Sequence, residues 1–193
     1  ISIPTIGGSG AKYLQMIMRA TYREVSLDKE YNVTKDYNLF FEKLKQISNQ
    51  LRVYKSNSSK LDFSDMISQY IENVETPYLD LLIVDEAQDL TPLQWTMVEK
   101  MAANAEQVII AGDDDQAIHR WTGVNVQRFI DSSVNVKVLN KSYRLPRSVW
   151  EISERISKRI PDRIEKEFYP REEEGKVDWV WRLGDLPLDQ GSW

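Results

Sequence analysis

The chain has 193 residues, a formal net charge of −5, 41% hydrophobic residues and no cysteine. Without cysteine it can form neither a disulfide framework nor a thiolate metal site, and its single histidine, His119, cannot build a histidine cluster, so zinc chemistry is excluded. No apolar run approaches the ~20 residues that span a bilayer, and no secretory signal pattern is present. We therefore expect a cytoplasmic globular protein with no membrane partner, in which any nucleic-acid binding uses a local patch rather than bulk charge.

The first part of the chain, residues 11–73, carries apolar residues at helical spacing between polar stretches. This periodicity predicts three helices, around residues 13–18, 39–51 and 63–70. We expect the serine-rich residues 56–59 to form a polar connection, and Asp62 or Ser64 to cap the helix that follows. Further aromatic residues fit helical spacing and are predicted to lie in the core: Phe40, Phe41, Tyr70 and Trp150.

A different pattern begins at residue 78. Residues 78–84 form a nearly continuous apolar run, which is typical of a parallel strand covered on both faces. Thr91 and Pro92 predict the start of a helix running to about residue 104, and residues 108–111 predict a second buried strand. The order strand, helix, strand indicates an α/β fold with a mostly parallel sheet.

The alternation of strands and helices continues further along the chain. Residues 136–139 predict a third short strand, and a helix is expected to open at Pro146. Near the end, Val177, Trp179 and Trp181 alternate with polar or smaller residues and predict a last strand.

Acidic residues follow both strands of the predicted β-α-β unit, at the edge where open α/β sheets place their ligands. The pair Asp85 and Glu86 suits magnesium-nucleotide hydrolysis, because one carboxylate can hold the metal shell while the other orients or deprotonates a water. A solvated acidic turn is the alternative. Asp113, Asp114 and Asp115 form either a second metal site or a tight turn with local caps.

Three stretches of sequence resemble the motifs of one family. Residues 84–90 read VDEAQDL, residues 110–121 read IAGDDDQAIHRW, and residues 142–144 read SYR. In order and separation they resemble motifs II, III and IV of the superfamily 1A DNA helicases, the UvrD/PcrA/Rep group. The resemblance is firm over residues 61–159 and implies a RecA-like α/β fold of the P-loop NTPase type, incomplete here, whose parallel sheet carries a helical insertion.

The resemblance also implies roles for the residues that match these motifs. Asp85 helps to hold Mg²⁺, and Glu86 activates the attacking water, so both belong to the metal and catalytic site. Gln116 senses the γ-phosphate of ATP and links the nucleotide state to domain movement, in which Gln88 shares.

Motif IV supplies two further ligands of ATP by the same resemblance. Tyr143 stacks on the adenine, and Arg144 contacts the γ-phosphate, where a fixed guanidinium neutralises charge that develops during transfer. A surface ion pair is the alternative for Arg144.

The segment at residues 119–121 reads as a site that stacks bases and touches phosphate. The family resemblance implies that Trp121 stacks on single-stranded DNA with Arg120 beside it. His119 occupies a position where the family usually has tyrosine; it either contributes to stacking or is a buried structural histidine. Residues 141–166 add eight basic against four acidic residues, which indicates either a phosphate-binding patch or an ordinary solvated helix face.

No Gly-x-x-x-x-Gly-Lys-Ser/Thr phosphate loop occurs in these residues. Residues 7–12 are a superficial candidate, but they lack the Gly-Lys pair and place Tyr13 where the hydroxyl ligand belongs; a flexible linker is the other interpretation. We therefore expect an internal piece of a larger helicase, inactive alone. Its predicted parts are a lead at 1–10, a helical insertion at 11–76, part of a first RecA-like domain at 77–140 and the start of a second at 141–193.

The sequence thus predicts part of an ATP-dependent DNA helicase that uses ATP and Mg²⁺ to translocate on single-stranded DNA and unwind duplex, with 3′ to 5′ polarity implied by the resemblance alone. Its expected partners are single-stranded DNA, duplex junctions, ATP and the rest of the helicase chain. One alternative is a truncated, non-hydrolysing DNA-binding or regulatory module with the same fold. A metal nuclease built on the acidic cluster is a third, less supported alternative.

Overall fold

A computed structural model describes residues 9–34, 38–117, 123–132, 135–161 and 163–182. The chain divides into two compact units, Ile1–Ser133 and Val134–Trp193. Among the described residues, no helix is both long enough and apolar enough to cross a membrane.

Four helices open the first unit within its described part: α1 (Ser9–Tyr22), α2 (Leu27–Thr34), α3 (Phe41–Ser58) and α4 (Phe63–Asn73). Their buried core contains Tyr13, Met16, Leu39 and Leu44. Two tyrosine hydroxyls secure the turn before α3: Tyr13 accepts from the Phe40 N–H at 3.0 Å, and Tyr31 donates to the Leu39 carbonyl at 2.8 Å.

The predictions for this helical part were partly wrong. Helix α2 was not predicted, because this short helix buries the charged Glu30 and so lacks a clear apolar stripe. The serine-rich connection does not begin at residue 56, since α3 continues to Ser58 and the chain turns at Ser59, which adopts a left-handed conformation. Phe40 is 71% exposed because it lies at the N-cap, outside the helical face, whereas Phe41 packs on the core.

The predicted capping of α4 is confirmed. The Asp62 side chain accepts the Asp65 N–H, and the Asp65 side chain accepts the Asp62 N–H, so each satisfies a donor at the helix start. Lys55 of α3 contacts both carboxylates, at 2.6 Å from Asp62 and 2.7 Å from Asp65. This ion-pair cluster connects the last turn of α3 to the start of α4.

The two described strands, β1 (Leu79–Val84) and β2 (Ala105–Ile110), pair in parallel, with Leu79 opposite Ala105 and Val84 opposite Ile110. The connecting helix α5 (Pro92–Ala102) begins as predicted, with a capping box at Thr91 and Pro92 in its first turn. The α/β class with a parallel sheet is confirmed.

The sheet is covered on one face by the described residues. Leu82 and Val84 pack with Trp95 and Val98 of α5 and with Phe129 of α6 (Val126–Asp131). On the other face, Leu81 is 45% exposed, Ile83 61% and Ile109 51%. The prediction that β1 is covered on both faces is therefore wrong for this part of the chain, because no described element packs on the second face.

The second unit contains α7 (Arg147–Ser157), which follows Pro146 as predicted. The strands predicted at 136–139 and 177–181 do not form: Leu139 is 79% exposed, Trp179 85% and Trp181 97%. A strand needs a hydrogen-bonded neighbour, and the described part of this unit has a single isolated bridge, between Lys141 and Tyr169. Trp150 is half-buried rather than part of a closed core.

Candidate functional site

The acidic pair lies directly after β1, as predicted, with both side chains exposed. Glu86 has φ 52° and ψ 38°, the left-handed region, which costs a residue with a side chain about 1–2 kcal/mol. Its N–H donates to Asp85 Oδ1 at 2.9 Å. The sharp turn presents the Glu86 carboxylate beyond the end of the sheet, and such strain at a site of adjacent carboxylates is typical of functional positions.

Gln88 is the buried centre of the site, with 1% of its surface exposed. Its Nε2 donates to Glu86 Oε2 at 2.7 Å, and its Oε1 accepts the Asp113 N–H at 3.0 Å. These two partners fix the orientation of the amide, because a carboxylate requires the donor end and an N–H requires the acceptor end. Gln88 therefore joins the turn after β1 to the turn after β2.

Gly112 makes room for this arrangement. A Cβ at Gly112 would lie 2.5 Å from Gln88 Oε1 and 2.9 Å from the Phe129 ring, so any side chain would displace the amide or the core aromatic. Reasoning from the sequence missed this requirement at Gly112. The available signal was a glycine between a buried strand and a polar turn, where backbone often approaches closely.

The acidic run after β2 is a capped turn. Asp113 Oδ1 accepts the Asp115 N–H at 3.2 Å, and Asp113 Oδ2 accepts from Gln116 Nε2 at 2.7 Å, around a 3₁₀ turn spanning Asp114–Gln116. The three carboxylates lie within 4.8 Å of one another, close enough for a cation, but the local hydrogen bonds account for their arrangement. A continuous chain of contacts thus runs from Glu86 through Gln88 and Asp113 to Gln116.

In the second unit, Ser142 shapes the turn that carries the predicted nucleotide ligands. Ser142 is buried, and its Oγ accepts the N–H groups of Arg144 at 3.2 Å and Leu145 at 2.9 Å. The turn leaves Arg144 exposed and the Tyr143 ring 82% exposed, with Lys141 Nζ 5.5 Å from its centre. An exposed ring can stack on a base, and the exposed guanidinium of the residue that follows it in the chain can contact a phosphate.

The predicted DNA-contacting residues His119, Arg120 and Trp121 lie outside the described residues. The basic stretch in the second unit is a mixed surface where it is described: Lys158 pairs with Glu154 at 3.2 Å, and Arg147 lies 3.5 Å from Glu174.

The carboxylates after β1 fit a magnesium ion. Mg²⁺ prefers oxygen ligands and usually keeps several waters, so one or two exposed carboxylates beside a nucleotide suffice. Asp85 and Glu86 supply this donor set, although one oxygen of Glu86 already accepts from Gln88.

A parallel β-α-β unit with polar side chains gathered beyond the carboxyl ends of its strands is typical of α/β proteins that bind nucleotides at that edge. Residues 9–137 match the UvrD/REP helicase N-terminal domain family. The chain belongs to this family.

Curated relatives carry helicase names. The chain is 28% identical over 128 residues to a DNA helicase II of Haemophilus influenzae, covering 60% of this chain and 18% of the relative. It is 24% identical over 174 residues to an ATP-dependent DNA helicase PcrA of Bacillus subtilis, covering 88% and 22%. A probable DNA helicase II homolog of Mycoplasma capricolum is 29% identical over 103 residues, covering 50% and 14%. The chain therefore spans about a fifth or less of the length of these relatives.

Proposed function

We propose that this chain is part of an ATP-dependent DNA helicase that hydrolyses ATP to move along single-stranded DNA and unwind duplex, with 3′ to 5′ polarity. The observation that carries the proposal is the hydrogen-bonded chain from Glu86 through Gln88 and Asp113 to Gln116. It connects a carboxylate suited to activating water with a glutamine suited to reading the phosphate. The stretches containing these residues act as motifs II and III of a RecA-like ATPase domain.

Each residue has a distinct task in this proposal. Asp85 holds Mg²⁺, which would neutralise charge on the phosphates when bound. Glu86 accepts a proton from the attacking water through the oxygen that Gln88 does not engage. Gln116, on the exposed turn after β2, contacts the γ-phosphate and transmits its loss through Asp113 and Gln88.

The second unit contributes motif IV. Tyr143 stacks on the adenine, and Arg144 neutralises charge that develops on the γ-phosphate during transfer. The support for these roles is that the Ser142 turn holds both side chains outward. Trp121, with Arg120 and His119, contacts single-stranded DNA in the same proposal.

The test uses the intact helicase. Glu86→Gln should retain magnesium-nucleotide binding and lose about 10²–10⁴-fold in DNA-stimulated ATP turnover, because the amide cannot accept the proton of the water. Asp80→Asn is a matched control, since Asp80 is an exposed carboxylate on β1. Hydrolysis by Glu86→Gln at the unmodified rate would reject the assignment, and displacement assays on duplexes with 3′ or 5′ tails decide the polarity.

A non-hydrolysing DNA-binding module remains the second candidate, because these residues contain no Gly-Lys-Ser/Thr phosphate loop. The segment at residues 7–12 does not fill this role by its sequence, and from Ser9 onward it forms the helix α1. Binding of single-stranded DNA with no ATP turnover by the intact protein would favour this candidate.

A further inference from the structure

A groove of about 550 Å³ lies between α3 and α4, in the helical part of the first unit. Ile17 of α1 and Leu51 of α3, both half-buried, belong to its apolar lining. Ser56 and Ser59 add exposed residues with hydroxyl groups to the same groove. Its charged lining consists of three cations and one carboxylate: Arg52, Lys55, Lys60 and Asp65. The groove therefore combines an apolar floor with a positively charged and hydroxyl-bearing surface.

The charge of this region is opposite in sign to that of the whole chain. Residues 41–60 contain five basic residues and one acidic residue, although the chain carries a net charge of −5. Lys45 is paired with a carboxylate of the same helix, and Lys55 is held by the two carboxylates at the start of α4. The other basic residues of this stretch are Lys43, Arg52 and Lys60. The last two of these line the groove.

Arg52 and Lys60 are exposed, and within the part of the chain that the structure describes neither forms a salt bridge. Lys60 Nζ donates to the Tyr54 hydroxyl at 3.1 Å, and this neutral partner leaves the charge of the ammonium group uncompensated. The Tyr54 ring is itself 55% exposed and lies 5.5 Å from the same nitrogen. Both cations can therefore bind an incoming anion without first breaking an ion pair.

We propose that this groove is a binding site for consecutive phosphates of a DNA backbone, with Arg52 and Lys60 each contacting a phosphate. The inference rests on the proposed function, in which the protein acts on DNA. It adds a contact surface on α3 and α4, which are separate from the turns that follow the two strands. Single-stranded and duplex DNA share the chemistry that the groove recognises, and the test below distinguishes them.

Two features favour a nucleic-acid backbone over a small anion. The polar lining is open to solvent at Arg52, Ser56, Ser59 and Lys60, whereas small-molecule sites bury most of the surface of their ligand. Basic side chains together with hydroxyl groups are also what proteins use to contact phosphate and sugar. The apolar floor can pack against the sugar while the cations meet the phosphates.

The test measures DNA binding by the 193-residue chain as a function of salt, with a single strand and a duplex of equal length. Arg52→Gln and Lys60→Gln should each reduce the slope of log K against log salt by about 0.7–0.9, the contribution of one phosphate contact. At ~0.1 M salt this change corresponds to binding that is about 5- to 8-fold weaker, and the difference should vanish near ~1 M. A loss confined to the single strand or to the duplex identifies the DNA that occupies the groove.

Lys43→Gln is the matched control, because it removes the same charge from an exposed position on the same helix. Lys43 precedes Arg52 by two and a half helical turns, so the two side chains lie on opposite faces of α3. This variant should keep the slope of the parent chain, and Lys60→Arg, which keeps the cation, should do the same. Thermal unfolding of all four variants should match that of the parent, since each change is at an exposed side chain.

Three outcomes would overturn the proposal. One is an unchanged slope in both Arg52→Gln and Lys60→Gln, and another is an equal loss in Lys43→Gln, which would indicate bulk charge. The third is binding of polyglutamate that depends on Arg52 and Lys60 while DNA binding does not, which would assign the groove to an acidic protein segment.

The salt dependence also separates this inference from the helicase proposal, because it requires neither ATP nor unwinding. An intact protein without DNA-stimulated ATP turnover, combined with a reduced slope in Arg52→Gln and Lys60→Gln, would reject the helicase and retain the groove. DNA-stimulated turnover in the intact protein, combined with unchanged slopes in both variants, would reject the groove alone.

Discussion

The side-chain amide of Gln88 donates a 2.7 Å hydrogen bond to the carboxylate of Glu86. Because the same amide accepts the Asp113 N–H at 3.0 Å, one buried side chain ties together the turns that follow the two strands. The two turns are therefore connected directly through one side chain as well as through the strands that they follow.

The first prediction concerns this bridge. Gln88→Met keeps the approximate shape but leaves the Asp113 N–H without its acceptor, so we expect a loss of about 1–3 kcal/mol in the free energy of unfolding. Gln127→Met is the matched control, because Gln127 donates a similar 2.7 Å hydrogen bond to Asp131 on the exposed surface. This substitution should lower the free energy of unfolding much less than Gln88→Met. Gln88→Glu should be more destabilised at neutral than at mildly acidic pH, since it sets a second carboxylate against Glu86. Chemical denaturation measures each effect, and equal stability of the two methionine variants would contradict the role of Gln88.

The second prediction tests the strain at Glu86. Glu86→Gly should be more stable than Glu86→Ala by about 0.5–1 kcal/mol, because relief of a left-handed conformation worth about 1–2 kcal/mol exceeds the entropy that glycine loses on folding. The same pair of substitutions at Glu99, inside α5, should give the opposite order, since glycine weakens a helix interior. Thermal unfolding of the four variants decides the matter. If Glu86→Ala were instead more stable than Glu86→Gly, the order expected at Glu99, Glu86 would not be strained.

The third prediction is an acid response in the helical part. Burial opposes ionisation of Asp62, but hydrogen bonds from Lys55, Ser64 and the Asp65 N–H outweigh it and lower the pKa of Asp62 to about 2. Because the pKa of Asp62 is lower in the folded chain than its ordinary value of 3.8, the ionised carboxylate stabilises the fold at pH values above 3.8. This stabilisation is lost as the pH falls toward 2.

Asp62→Asn removes the charge and keeps a good N-cap, so it should flatten the dependence of the melting temperature on pH between about 4 and 2. Asp80→Asn, at an exposed position on β1, should leave that dependence unchanged. An Asp62→Asn variant with the acid sensitivity of the parent chain would exclude this cluster as its source.

The fourth prediction contrasts two tryptophans. Trp121→Ala in the intact helicase should weaken single-stranded DNA binding by about 1–3 kcal/mol with little dependence on sequence, and should uncouple DNA from ATP turnover, with folding preserved. Trp95 is 2% exposed in the core beneath the sheet, so Trp95→Ala should instead cost about 3–5 kcal/mol of folding stability. DNA titration and thermal unfolding distinguish the outcomes. A collapsed melting temperature with unchanged affinity in Trp121→Ala would place that residue in a core.

The fifth prediction concerns the 193-residue chain by itself. We expect it not to hydrolyse ATP at a helicase rate, because positioning of the phosphates supplies most of the catalysis and these residues contain no phosphate loop. Phosphate release measured with and without single-stranded DNA tests this. DNA-stimulated turnover near 1 s⁻¹, roughly the lower end of ordinary enzymes, would be incompatible with the expectation.

The sequence by itself determined the features that depend on neighbouring residues. The cap at Thr91, the cap at Asp62 and the presence of two apolar strands follow from local propensity and periodicity. The positions of Asp85 and Glu86 follow from where the first strand ends. Short-range signals of this kind survive in a single sequence because the residues that produce them lie within one or two turns of each other.

Tertiary structure alone decided what is held by contacts between distant residues. Gln88 meets Asp113 across 25 positions, so no local pattern in the sequence predicts this contact. The same reason explains why the strands predicted at 136–139 and 177–181 do not form. Their alternation favours extended structure, but a strand forms only where another segment offers its N–H and C=O groups, and this depends on the packing of the chain as a whole.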